Sequence, residues 1–156
     1  MANDNKDIAR NLAKLMQLDV DAARAYEQAL DNIDVPAIHK SLSLFRDDHK
    51  RHISELGQAI RNLGEEPPSE SPDIKGFFIE GFTAIRSLTG TEGALKAMRG
   101  NEKLTTSTYH DALSEDLPED IKQLVQKNYS DEERHLKYIE HLLTSKAWDP
   151  SGVPHS

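Results

Sequence analysis

Adding 83 to the positions of Asp19, Tyr26, His49 and His52 lands on Glu102, Tyr109, Glu132 and His135, so each polar residue of one pattern has a like-placed counterpart later in the chain. The flanks keep the same offset, with Leu12 over Leu95, Leu15 over Met98, Ala29 over Ala112, Leu30 over Leu113 and Asp48 over Asp131. A repeat of this kind means one supersecondary unit used twice. The prolines at 36, 67, 68, 72, 118, 150 and 154 leave long uninterrupted stretches. Proline inside a helix removes a hydrogen bond and clashes with the preceding turn, so such stretches suit helices. The pattern predicts helices near 5–32, 36–63, 92–114 and 118–145, a shorter one near 73–88, and no strand. Pro36 and Pro118 read as first-turn residues, with Asp34 and Asp116 as their N-caps.

The expected fold class is therefore all-α: a four-helix bundle of two duplicated antiparallel hairpins with an additional crossover helix. One domain is expected over 1–148, made of a hairpin at 5–63, a crossover at 64–91 and a hairpin at 92–145, with a C-terminal tail at 149–156. The stretch GEEPPSESPD reads as a polar loop, and WDPSGVPHS as a tail with no core to join. Ile74 to Leu88 carries three of the four phenylalanines, Phe77, Phe78 and Phe82, together with Ile85. It reads either as a crossover helix packed on the bundle or as the surface of a homodimer.

Composition narrows the chemistry. The chain of 156 residues can bury a core without covalent staples, and its lack of cysteine removes disulfides, thiolate metal sites, iron–sulfur clusters and cysteine nucleophiles together. Nitrogen and oxygen ligands remain. A formal net charge of −8 with no run of basic residues argues against nucleic acid, whose binding rests on Lys and Arg neutralising phosphates. No window is apolar enough to span a membrane, and the start MANDNKDIAR lacks the apolar stretch of a signal peptide, so a cytoplasmic protein is expected.

Each long helix carries an apolar seam in alternating three- and four-residue steps, the spacing that faces a bundle interior. The second seam runs Ile38, Leu42, Phe45, His49, His52, Leu56, Ala59, Leu63, and the first Ile8, Leu12, Leu15, Asp19, Ala22, Tyr26, Ala29, Ile33. The third reads Leu95, Met98, Glu102, Thr105, Tyr109, Ala112, and the fourth Ile121, Val125, Asn128, Glu132, His135, Ile139, Leu142. Asp19, Glu102 and Glu132 thus point inward, where an unpaired carboxylate is so unfavourable that it must be neutralised or paired. No Lys or Arg shares those seams, but three histidines do. Carboxylates clustered with imidazoles form the ligand set of a divalent metal site. His49 with His52, and Glu132 with His135, are three apart on a helix and can aim two ligands at one point. A metal-free network in which these groups satisfy one another also fits the spacing.

Antiparallel helices joined by a short turn place residues equidistant from that turn side by side. Asp19 pairs in height with His49 about the first turn, and Glu102 with Glu132 about the second. Glu27, the rival carboxylate on the first helix, lies eight residues closer to the turn, roughly 12 Å away at about 1.5 Å per residue. It stands as second choice, either replacing or supplementing Asp19. His39, His110 and His141 fall off the inward seams, and His155 belongs to the tail. Asp47, Asp48, Glu133 and Glu140 read as surface charges, with Asp48 or Asp131 able to contact a histidine's free nitrogen.

These residues resemble the ferritin-like superfamily, including the rubrerythrins, bacterioferritins and small bacterial ferritin-like domain families. Its pattern is a carboxylate on the first and third bundle helices and Glu-x-x-His on the second and fourth. Glu102 and Glu132 to His135 match that pattern, Asp19 matches it conservatively, and the resemblance covers about residues 5–145. His49 to His52 departs from it, placing histidine where the family has glutamate. Two divalent ions would then bring a charge of +4 against three carboxylates. The resemblance implies metal ligands Asp19, His49, His52, Glu102, Glu132 and His135, holding one or two ions. Iron as a di-iron centre is the first expectation, with manganese or zinc as the other candidates. It also implies oxidation of Fe(II) by dioxygen or peroxide. Tyr26 and Tyr109 lie two turns from Asp19 and Glu102, and their side chains lean toward the ligand layer, which makes them the catalytic candidates, either orienting ligands or carrying a radical. A structural role as core tyrosines fits them as well. The alternative class is a helical stress-associated or interaction protein with a structural metal or none.

Overall fold

Asp4 opens the first helix by accepting a hydrogen bond from the backbone N–H of Asp7 at 2.9 Å, which satisfies one of the donors a helix start leaves without a partner. In the computed structural model, which describes residues 4–69 and 90–149, four helices follow one another. They are α1 (Asn5–Leu30), α2 (Pro36–Asn62), α3 (Gly90–Ala112) and α4 (Glu119–Ser145). Short turns make α1 antiparallel to α2 and α3 antiparallel to α4, and across the bundle α1 lies against α3 far more closely than α2 lies against α4. The architecture is an all-α four-helix bundle with the ferritin-like arrangement. The crossover helix expected near 73–88, its phenylalanines and the dimer surface read from them lie outside the described residues, as do residues 150–156.

Two expectations about helix starts are corrected. Val35 caps α2 and Pro118 caps α4, neither through a side chain, so Asp34 and Asp116 are not N-caps. Asp34 is drawn off by α3: its carboxylate accepts a hydrogen bond from the Thr91 hydroxyl at 3.0 Å, and its own N–H donates to that hydroxyl at 3.3 Å. The pair ties the α1–α2 turn to the start of α3. Trp148, read with the tail, instead packs against the apolar cluster that contains Tyr26, Phe45 and Ile139.

The seams lie where their spacing places them. The core is split into two apolar clusters, one around Tyr26, Leu42, Phe45, Met98 and Ile139, the other around Leu12, Leu56, Tyr109 and Val125. Between them sit Asp19, His49, His52, Glu102, Glu132 and His135, all inaccessible to solvent.

α4 ends on Lys146, which adopts a left-handed backbone with φ 50°. Glycine is the residue that takes this conformation without strain, so Lys146→Gly should stabilise the fold by about 1 kcal/mol, read as a higher urea midpoint at unchanged slope.

Candidate metal centre

His49 stands at the middle of the polar layer. Its Nδ1 lies 2.7 Å from Asp19 Oδ1 on α1, and its Nε2 lies 2.9 Å from Glu102 Oε1 on α3 and 3.4 Å from Glu132 Oε2 on α4. One imidazole on α2 therefore touches all three other helices. His52 turns its Nδ1 inward, 3.2 Å from Asp19 Oδ1 and 3.1 Å from Glu132 Oε1. His135 does the same from α4, with Nδ1 3.2 Å from Glu102 Oε2 and 3.7 Å from Glu132 Oε2.

The outward nitrogens of these two histidines are anchored crosswise. His52 Nε2 pairs with Asp131 on α4 at 2.9 Å, and His135 Nε2 pairs with Asp48 on α2 at 2.8 Å. A carboxylate on one ring nitrogen fixes the tautomer and leaves the other nitrogen's lone pair facing inward once that nitrogen is deprotonated. Asp48 and Asp131 are in turn held by Arg51 and Arg134. Arg51 bonds both, reaching Asp48 at 3.2 Å, and Arg134 bonds Asp48 at 2.8 Å and Asp131 at 3.2 Å. Sequence reasoning anticipated the contact of Asp48 or Asp131 with a histidine but missed both arginines. The signal was present, because Asp48 to His52 and Asp131 to His135 share Asp-x-x-Arg-His at the repeat offset.

Electrostatics follow from burial and pairing. Burial alone would raise the Asp19 carboxyl, but hydrogen bonds from His49 and His52 outweigh it and leave its pKa lowered. Burial is likewise overcome at Glu102 by the charge of His49 and the hydrogen bonds of His135 and His49, and this carboxyl is held well below the usual range. Glu132 goes the other way: burial and the neighbouring Glu102 charge raise it, against partial relief from the histidines. Burial would depress the imidazoles, yet the carboxylates around them win. His49 is raised well above its ordinary value, and His52 and His135 are pushed up to about 10. Asp19 and Glu102 on one side and the three imidazoles on the other thus favour one another's charged forms.

Tyr109 donates its hydroxyl to Asp19 Oδ2. Tyr26, its counterpart, has a buried hydroxyl that completes no hydrogen bond and lies under the influence of Glu102. Burial and these carboxylates raise both phenols well above their ordinary value, so both remain protonated. Glu27 lies outside the cluster, with its side chain 55% exposed and paired with Lys50 at 3.7 Å. His39, His110 and His141 are exposed, as are Asp47, Glu133 and Glu140.

Two overlapping groups have ligand atoms within 4.8 Å of one another: Asp19, His49, His52 and Glu132, and His49, Glu102, Glu132 and His135. Glu132 belongs to both, and neither of its oxygens completes a hydrogen bond. A buried carboxylate left this way, facing three imidazole nitrogens, is what a divalent cation would satisfy. The residues fit such an ion. The layer is a buried cluster of three carboxylates and three imidazoles able to chelate one or two metal ions.

Residues 7–115 match the model of one family, described as a domain of unknown function (DUF2383). The chain belongs to the DUF2383 family. No curated protein matches this DUF2383 chain. Solved structures share its fold at low sequence identity. A ferritin-like, diiron-carboxylate protein from Bacillus anthracis str. Ames aligns at 18% identity and a TM-score of 0.71, over 92% of this chain and 99% of that one. A mutant of Mycobacterium smegmatis Dps1 aligns at 16% identity and a TM-score of 0.78, over 89% and 96%. Desulfovibrio desulfuricans bacterioferritin, described with its diiron site in different catalytic states, aligns at 21% identity and a TM-score of 0.74, over 97% and 91%. The DUF2383 chain thus has the ferritin-like fold. Among its described residues no helix is long and apolar enough to cross a membrane.

Proposed function

We propose that this chain is a ferritin-like metalloprotein that holds one or two transition-metal ions, iron before manganese or zinc, and oxidises Fe(II) with dioxygen or peroxide. The observation that carries the reading is Glu132, wholly buried, shared by both groups of donors and without a completed hydrogen bond on either oxygen. The fold it shares with proteins described as diiron supports iron as the first candidate.

In this reading Asp19, His49, His52, Glu102, Glu132 and His135 are the ligands. Asp48 and Asp131 hold His135 and His52 with Nδ1 turned inward, and Arg51 and Arg134 hold those two carboxylates in place. Tyr109 keeps a proton on the Asp19 side of the layer, and Tyr26 keeps one facing Glu102. Bound iron would supply the redox change, which none of these side chains offers. The apolar clusters above and below exclude water from the layer.

His49 sets the number of ions. A neutral imidazole has one lone pair, so His49 can serve only one of the two groups at a time. The first ion therefore finds four protein ligands and the second three. Anaerobic titration with Fe(II) should show two steps of unequal affinity, or one step alone, followed by fast oxidation once oxygen is admitted. The hydrogen bonds within the layer also favour a metal-free or purely structural network. Stoichiometric binding without accelerated oxidation would identify a structural metal, and no uptake at all would leave the network reading.

A further inference from the structure

The two halves of the site are related by the repeat, and the places where the repeat fails are informative. Phe45 on α2 stacks on His135, with ring centroids 4.2 Å apart and planes 25° apart. Tyr26 meets Phe45 edge-on at 6.4 Å, and the Arg134 guanidinium lies 5.9 Å from the centre of the Phe45 ring. On this side the imidazole is walled by hydrocarbon. The residue that the repeat places opposite Phe45 is Asn128, one turn before Glu132 on α4. There the corresponding imidazole is His52, whose ring centroid is 6.1 Å from that of Tyr109.

Asn128 is fully buried, and neither its Nδ2 nor its Oδ1 completes a hydrogen bond. It lies on the inward seam of α4 one turn before Glu132, at the position where the repeat has Phe45 stacked on His135, which places it beside the layer on the His52 side. An extra hydroxyl on this half, Thr105 where the repeat has Ala22, is spent on Asn101 O at 2.9 Å. The core cluster on this side of the layer, with Leu12, Leu56 and Val125, is apolar apart from the Tyr109 hydroxyl, which is spent on Asp19. An amide buried among hydrocarbon with both ends open costs free energy unless something fills it, and an apolar residue would fit the seam without that cost.

We propose that Asn128 hydrogen-bonds a small exogenous ligand on the His52 side of the metal layer, of the class with an oxygen or nitrogen terminus such as hydroxide, peroxide or azide. This rests on the metal-binding reading given above. The half walled by Phe45 has no amide at that position, and its open donor is the Tyr26 hydroxyl under the influence of Glu102, so the ligand binds asymmetrically. Asn128 is a positioning residue: its amide can donate from Nδ2 to the ligand while the Tyr109 hydroxyl stays committed to Asp19. A water held permanently by the amide is the rival occupant.

The test uses the full chain loaded with Co(II) and titrated with azide, followed by visible absorption, with cobalt content measured on the same samples. Asn128→Leu removes the amide while keeping its branched shape, and Asn128→Phe restores the residue type found in the other half. Both should keep the wild-type cobalt content and bind azide about tenfold more weakly, as expected for one hydrogen bond. Azide affinity within twofold of wild type in the variant that folds, or no azide response in wild-type cobalt protein, overturns the inference and leaves Asn128 with its water. Failure of the wild-type chain to take up cobalt overturns the metal reading itself.

Discussion

Glu132→Gln should lower the affinity for the first metal ion by a hundredfold or more and, in the same molecule, make the metal-free protein harder to unfold. Glu132 is common to both donor groups, so its loss cannot be made good by shifting the ion within the layer. The amide keeps the shape but loses the charge and a strong ligand, and changes of that kind at a metal site are costly. The metal-free form gains because Glu132 is the one carboxylate of the layer whose pKa is raised, by burial and by the nearby Glu102 charge. Removing that charge should add about 1–2 kcal/mol in the presence of chelator, measured by urea unfolding. An unchanged affinity would remove Glu132 from the ligand set. A destabilised metal-free variant would mean that the imidazoliums around it need its charge more than Glu102 resists it.

Metal-free protein should lose stability as the pH is raised through about 10, while metal-loaded protein should not. His52 and His135 have folded-state values pushed up to about 10 from an ordinary 6.5. A raised imidazole contributes stability that is fully present below its unfolded value and is lost as pH climbs through the folded one. His49, also raised, acts in the same direction. Asp19 and Glu102, both lowered, contribute stability that is present above the ordinary carboxylate range and lost only toward acid, so they do not blur the alkaline limb. A ligated imidazole must be deprotonated, so metal binding releases protons at neutral pH and tightens as pH rises. Unfolding midpoints with chelator and with metal, compared at pH 7, 9 and 10.5, should diverge. Parallel curves would mean that the imidazoles are neutral in the metal-free fold.

The helices were legible because the signals that define them are local. Proline-free stretches and the three–four spacing of seams such as Ile121, Val125, Asn128, Glu132, His135 depend only on positions along one helix. Convergence of the six polar residues was legible because the repeat offset and the equal heights about two turns made separate constraints agree on one layer. What stayed hidden was set by contacts between helices. Asp34 looked like a cap because the sequence shows its neighbour Pro36 and not Thr91, which lies beside it only after folding. Arg51 and Arg134 drew no reading, because the sequence shows each only with an acidic residue three positions earlier, whereas their second partners come from the other hairpin. Glu27 and Asp19 could be ranked by height but were separated by exposure, which the fold supplies. Asn128 sat on its seam with no assigned role, since an unfilled hydrogen bond is a property of the surroundings.

The crosswise anchoring of the imidazoles has a consequence for assembly. His52 Nε2 depends on Asp131 and His135 Nε2 on Asp48, so for these two histidines the carboxylate that holds the outward nitrogen comes from the other hairpin. One hairpin alone would be an unfinished half, and two separate copies would have to meet at a concentration that a covalent link makes unnecessary. Joining them in one chain also frees the halves to diverge, which identical copies cannot do: an aromatic wall on one side of the centre and an amide on the other require that Phe45 and Asn128 belong to the same molecule.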